Sequence, residues 1–242
     1  MNLFTPAETA ANYAAAGVVK TRYSALKLLL LGIAAGALIG FPVCVVAKAT
    51  YTISNAGVVS VLSGTLFAFG LGIVILTGAE LFTGNTLIVI SLLDRRVTLG
   101  AMALSWVCAR FGWTSAGNGA LGDYLVQLAE GKMNMPFGKA FFMGVLCNIL
   151  VTVAVLVSLS AKDVTGRILG AWAPVMFFVT AGFSHSIADM TYCGLALFGG
   201  GAADVTWGRY FLGNMLPVTL GNIAGGLLVG WLAWYCFLRK KG

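Results

Sequence analysis

The sequence predicts an all-α membrane protein: six transmembrane helices in an inverted three-plus-three repeat, with the second and fifth helices broken. Three observations predict it. Of 242 residues, 59% are hydrophobic and only 10% are charged, where an ordinary globular chain carries about a quarter charged. Six apolar stretches approach or exceed the roughly 20 residues a helix needs to cross a bilayer. Two of the six are over-long and are interrupted in their middles by glycine and ionisable residues, as discontinuous spans are. Together these exclude a soluble enzyme, a disordered tail and a secreted disulfide scaffold. The chain reads as one transmembrane domain over 1–242, with 1–24 as an N-terminal segment and 239–242 as a tail.

Each element follows from its own stretch. Met1 to Ser24 is mixed and mildly apolar, without the charged-then-apolar order of a signal peptide. Leu26 to Lys48 is the first span. Val58 to Leu93, 36 residues, is too long for one helix and carries Thr77-Gly78-Ala79-Glu80-Leu81-Phe82-Thr83-Gly84-Asn85 in its middle. Leu99 to about Ala129 is a third, weaker span, and Phe137 to Ala161 the fourth. Arg167 to about Phe198 is again over-long, with Ala181-Gly182-Phe183-Ser184-His185-Ser186-Ile187-Ala188-Asp189 inside it. Tyr210 to Leu238 is the sixth. The interruptions fall in the middle member of each set of three, and in repeats of that kind the substrate path runs where the broken helices meet.

The net charge of +7 carries orientation rather than a nucleic-acid footprint. Lys20, Arg22, Lys27, Arg95, Arg96, Lys162, Arg167, Arg239, Lys240 and Lys241 fall on one side of the predicted spans. Lys48, Lys132, Lys139 and Arg209 fall on the other, and Arg110 lies within the third span. Positive loops stay inside, so both termini are expected in the cytoplasm, in a multi-pass prokaryotic inner-membrane protein. Gly32, Gly36 and Gly40, then Gly221 with Gly225 and Gly226 with Gly230, give G-x-x-x-G spacing that suits close helix packing. The five cysteines lie in apolar stretches without C-x-x-C spacing and read as small hydrophobes.

The costly residues cluster at the interruptions. His185 is the single histidine. An ionisable group at membrane depth usually faces a cavity or a partner, although a lone histidine can also be a plain structural one. An imidazole titrates near neutral pH and can pass a proton to a weak acid; Thr83, in the other interruption, is its expected partner. Glu80 and Asp189 are expected to accept N–H groups freed where the helices break, with Gly84 and Gly182 as structural glycines at the same breaks. Phe67, Leu71, Leu81, Phe82 and Phe178 (with Phe177 and Phe183) are either core or hydrophobic constrictions of a pore. No H-E-x-x-H, G-x-S-x-G or Gly-rich phosphate loop occurs, so no enzyme, metal or cofactor is expected.

Gly-Ala-Glu-Leu-Phe-Thr-Gly-Asn at 78–85, Ala-Gly-Phe-Ser-His-Ser-Ile-Ala-Asp-Met at 181–190 and Leu-Pro-Val-Thr-Leu-Gly-Asn-Ile-Ala-Gly-Gly at 216–226 resemble the formate/nitrite transporter family over nearly the whole chain. The resemblance implies an aquaporin-like arrangement in a homopentamer, with a separate pore in each protomer. It implies passage of a small anion through the bilayer-embedded protein: formate first, with nitrite or hydrosulfide as the alternatives, often with a proton. A non-transporting membrane subunit is the remote rival. By motif, the family's central histidine and threonine fall on His185 and Thr83. Its constriction falls on Phe67, Leu71, Leu81, Phe82 and Phe178, its vestibule cation on Lys132, and its pore-lining asparagines on Asn148 and Asn222. Three departures stand out. Ser184 replaces a glutamate before the histidine, Asp189 replaces an asparagine, and residues 107–123 depart from the usual apolar helix, with Arg110 and Trp113 in unexpected places.

Overall fold

The computed structural model describes residues 2–20, 22–85 and 96–239, and the regular structure among them is helical apart from one isolated β-bridge between Leu3 and Ala161. In chain order the helices are α1 (Pro6–Lys20), α2 (Ala25–Thr50), α3 (Ala56–Phe67), α4 (Phe69–Thr77), α5 (Phe82–Asn85), α6 (Arg96–Arg110), α7 (Ala120–Met133), α8 (Phe137–Ser160), α9 (Val164–Thr180), α10 (Ser186–Phe198), α11 (Trp207–Arg209) and α12 (Leu216–Ala233). A π-helical turn over Tyr210–Met215 joins α11 to α12, and a second over Trp234–Leu238 follows α12. Among the described residues, four helical segments are long and apolar enough to cross a membrane: Ala25–Thr50, Ala56–Thr77, Phe137–Ser160 and Trp207–Leu238.

Length explains the division. At about 1.5 Å per residue, the 24 residues of α8 reach about 36 Å, more than the ~30 Å hydrocarbon core. The 13 residues of α10 reach only about 20 Å. Residues 86–93, which the over-long second stretch includes, lie outside the described residues.

The third stretch is not one helix. α6 ends at Arg110, a 3₁₀ turn covers Trp113–Ser115, and α7 starts only at Ala120. Gly112, Gly117 and Gly119 all take positive φ, as does Asn118 at 56°. Four left-handed residues in eight cannot continue a right-handed helix, which is why this part of the sequence looked least membrane-like. The N-terminal segment, for which the sequence predicts no element, carries a helix. It forms α1, opened by a reciprocal cap: the Thr5 N–H donates to Glu8 Oε2 at 2.7 Å and the Glu8 N–H to Thr5 Oγ1 at 3.3 Å. The strand-like residues ahead of it are fastened to the α8–α9 junction, the Phe4 N–H donating to the Ser160 carbonyl at 2.8 Å.

Small residues set the packing. α8 and α12 meet backbone to backbone: a Cβ on Gly221 would strike the Phe141 carbonyl, one on Gly225 the Val145 carbonyl, and one on Gly144 would lie 2.6 Å from the Val218 carbonyl. α2 and α6 touch in the same way at Gly100, against the Ile33 carbonyl. Membrane helices associate through such van der Waals contact because lipid offers no hydrophobic drive. The buried core between them includes Ile39, Val43, Phe67, Leu71, Val151, Val175 and Phe178.

Candidate functional site

Two helix ends meet in the middle of the core. α4 closes on Gly78 (φ 69°) and helix resumes at Phe82, four residues later. α9 closes just before Gly182 (φ 74°) and helix resumes at Ser186, also four residues later. The left-handed conformation at both sites suits glycine, the one residue with no Cβ penalty there. Gly84 is expected from the sequence as a structural glycine at the first break, and the left-handed turn there falls on Gly78. Gly84 sits inside α5 with its carbonyl accepting the Tyr13 hydroxyl at 2.8 Å, so its part at the break is an acceptor's, not a turn former's.

The two resumed helices bring Thr83 and His185 together. Thr83 Oγ1 lies 2.8 Å from His185 Nε2, and both side chains are buried. His185 also caps α10: its Nδ1 accepts the Ala188 N–H at 3.2 Å. That contact fixes the tautomer of the neutral ring. With Nδ1 as acceptor, the proton sits on Nε2 and points at the Thr83 hydroxyl. Protonating Nδ1 would remove the cap.

Aromatic and aliphatic side chains enclose this pair. The Phe178 ring stacks on His185 at 5.9 Å between centroids, and Phe67 meets His185 edge-on at 6.4 Å and Phe178 at 6.2 Å. Leu71 and Leu81 are buried nearby. The Phe82 side chain lies outside the described residues. Leu71, Leu81 and Gly84 also line a cavity of about 220 Å³ that opens beside α1, bordered by Tyr13, Lys20 and Glu80.

The asparagines bind backbone. Asn222 Nδ2 donates to the Gly144 carbonyl at 2.8 Å and the Ser184 carbonyl at 3.1 Å, while its Oδ1 accepts the Ser186 N–H at 3.0 Å. Asn148 Nδ2 donates to the Asn222 carbonyl at 2.6 Å. Asn222 therefore spans the 181–185 interruption and meets the polar groups that the break exposes.

The sequence reading sent the carboxylates to freed backbone N–H groups; the structure also brings a cation to each. Glu80 Oε2 pairs with Lys20 Nζ at 2.8 Å. Asp189 pairs with Lys132 Nζ, and its second oxygen accepts Asn214 Nδ2 at 3.1 Å. A buried carboxylate close to an ammonium gains more from that charge than from a neutral amide. Lys132 is thus held in an ion pair, its Nζ 5.6 Å from the Tyr192 ring. Lys20 and Asn214 are site residues that the sequence reading missed. Lys20 entered it only through its charge and the orientation it favours, and Asn214 reaches Asp189 only through the π-helical turn. Ser184 Oγ and Ser186 Oγ are buried without a hydrogen-bond partner. Among the described residues no group of three His, Cys, Asp or Glu could hold a metal.

The chain matches the formate/nitrite transporter family over residues 7–235. It is 34% identical to a probable formate transporter of Methanothermobacter thermautotrophicus, with 98% of both chains covered. It is 31% identical to the formate channel FocA of Escherichia coli, covering 99% of this chain and 96% of that one. Among solved structures it is similar to a pentameric formate channel with formate bound, at 31% identity and a TM-score of 0.78 over 88% of this chain and 98% of that one. A second is an FNT family ion channel, at 25% identity and a TM-score of 0.76, with 95% and 97% covered.

Proposed function

Because the chain belongs to the formate/nitrite transporter family, we propose that it passes small monovalent anions of weak acids, formate first among them, through one pore per protomer of a homopentamer. The observation that carries the reading is the buried Thr83–His185 contact of 2.8 Å inside the Phe67–Phe178 aromatic shell. The interruptions at 78–81 and 181–185 are the broken second and fifth spans of an inverted repeat within a single domain of 1–242. Their matching left-handed glycines, each four residues ahead of the next helix, support that reading. Basic residues favour the Lys20–Lys162 side as cytoplasmic, with both termini there.

The chemistry follows from desolvation. A bare carboxylate loses far more than a neutral acid on entering an apolar shell, so the shell around His185 admits formic acid and rejects formate as an ion. Lys132, tied to Asp189 by one of its three N–H donors, offers the others to the arriving anion. Phe67, Leu71, Leu81 and Phe178 close the dry stretch around the imidazole. His185 Nε2–H and Thr83 supply hydrogen bonds that replace part of the lost hydration and give the acid proton a place to be shared. Nitrite and hydrosulfide, as anions of weak acids, suit the same shell.

Formate uptake into proteoliposomes tests this. His185→Ala is expected to change both the rate of uptake and its dependence on pH; unchanged values of both would refute the role given to the imidazole. Competition by nitrite and hydrosulfide at two pH values ranks the substrates.

A further inference from the structure

The two ion pairs at the interruptions are built differently. Lys20 ends α1 five residues ahead of α2, and Lys132 lies in the last turn of α7 five residues ahead of α8. Glu80, the partner of Lys20, stands two residues beyond the left-handed Gly78. The position two residues beyond the left-handed Gly182 is Ser184, which carries no charge. The carboxylate for Lys132 comes instead from Asp189, within α10 and five residues further on. A carboxylate in this displaced position lies beside the π-helical turn of Tyr210–Met215, and that turn supplies a second contact. Asn214, 1% exposed, donates Nδ2 to Asp189 Oδ2 at 3.1 Å and makes a longer contact of 3.5 Å to the Lys132 carbonyl. Gly213 lets the turn lie directly on the end of α7, since a Cβ there would strike the Met133 carbonyl. π-turns of this kind recur at functional sites because the extra residue redirects a side chain.

We propose that Asn214 is a positioning residue of the substrate path: it holds the Asp189 carboxylate and the Lys132 main chain in one frame, so that the Lys132 ammonium meets the anion in a single geometry. This rests on the reading of Lys132 as a substrate contact. Asn214 touches no substrate itself; it acts on both members of the ion pair, through the side chain of one and the backbone of the other.

The test is formate uptake into proteoliposomes, with half-saturation and maximal rate measured separately. Asn214→Leu is expected to raise half-saturation about tenfold, the loss of one hydrogen bond to a charged group, with a smaller change in maximal rate. Asp189→Asn should do the same. The exchange Asp189→Asn/Asn214→Asp returns a carboxylate and an amide to the same pocket in swapped places and should recover half-saturation to within about threefold of the parent. On a Lys132→Met background, Asn214→Leu should add nothing. An Asn214→Leu protein within twofold of the parent, an exchange variant no better than Asp189→Asn, or an Asn214→Leu effect that persists on Lys132→Met would each overturn the proposal. Should Asn214→Leu fail to assemble, the comparison of the exchange variant with Asp189→Asn decides. A Lys132→Met protein with unaltered uptake would refute the reading of Lys132 itself, and the positioning role with it. An impaired Lys132→Met protein on which Asn214→Leu still acts would refute the positioning role alone.

Discussion

Asn222→Ala takes three buried hydrogen bonds from this protein at once. The side chain makes three buried hydrogen bonds, at 2.8, 3.1 and 3.0 Å, to the backbone of Gly144, Ser184 and Ser186. At the average of about 0.6 kcal/mol measured for hydrogen bonds inside membrane proteins, three bonds amount to about 2 kcal/mol. Their backbone partners, however, lose a partner where no bulk water is at hand, and each orphaned buried group costs about 1–3 kcal/mol. The lower end of that range, once per group, gives about 3 kcal/mol, and we expect Asn222→Ala to destabilise the protein by about that amount. Reversible unfolding in mixed detergent–SDS micelles measures it. Asn55→Ala serves as the reference: Asn55 caps α3 through the Val58 N–H at 3.1 Å on an exposed surface, and a lost cap costs about 1 kcal/mol. If Asn222→Ala costs no more than Asn55→Ala, the bridging of the 181–185 interruption by Asn222 is not what holds it, and the reasoning fails.

Three other outcomes are expected. His185→Asn should be more stable than His185→Ala by about 1 kcal/mol in the same unfolding assay, because asparagine can cap α10 as Nδ1 does, yet it should not regain transport if the reach to Thr83 matters. Gly221→Ala should cost about 1–3 kcal/mol, since its methyl would meet the Phe141 carbonyl; thermal melting of the purified protein would show it, and an unshifted melt would mean that α8 and α12 can move apart freely. The Glu8 carboxyl is held below the ordinary carboxylate range by the backbone N–H and then the hydroxyl of Thr5. Its contribution to the start of α1 is therefore complete above the ordinary carboxyl pKa and is lost as pH falls through the lowered one. Amide exchange at the start of α1 should accelerate in that acid window in the parent and lose this dependence in Glu8→Gln.

Much of the fold and of the site was legible because hydrophobic length and costly residues are strong signals in lipid. α2 and α8 fall within two residues of the stretches that predict them, since almost nothing polar blurs their ends. His185 and Thr83 could be picked out because an imidazole and a hydroxyl at the middle of apolar stretches have few other reasons to be there. What stayed hidden depended on facts that composition does not carry. α1 is only mildly apolar, and it is held as much by its reciprocal cap and its contacts to Glu80 and Gly84 as by a greasy face. The destination of Glu80 and Asp189 turns on which cation lies within reach, and Lys20 and Lys132 are 60 and 57 residues away in sequence. Asn214 was invisible for a simpler reason: a π-turn shifts its side chain off the face that helical periodicity assigns to it.

The glycine seam between α8 and α12 has a mechanical corollary. Two helices whose main chains touch at Gly144, Gly221 and Gly225 have no side-chain layer between them at those points, and they are expected to translate and tilt as one beam. Asn222 on that beam grips the segment beside His185 from both sides, through the Ser184 carbonyl and the Ser186 N–H. The imidazole is therefore mounted against this seam rather than on a free loop. For the path proposed above, this ties the histidine to the seam, so a change of shape is expected first in elements that the seam does not hold, such as α1.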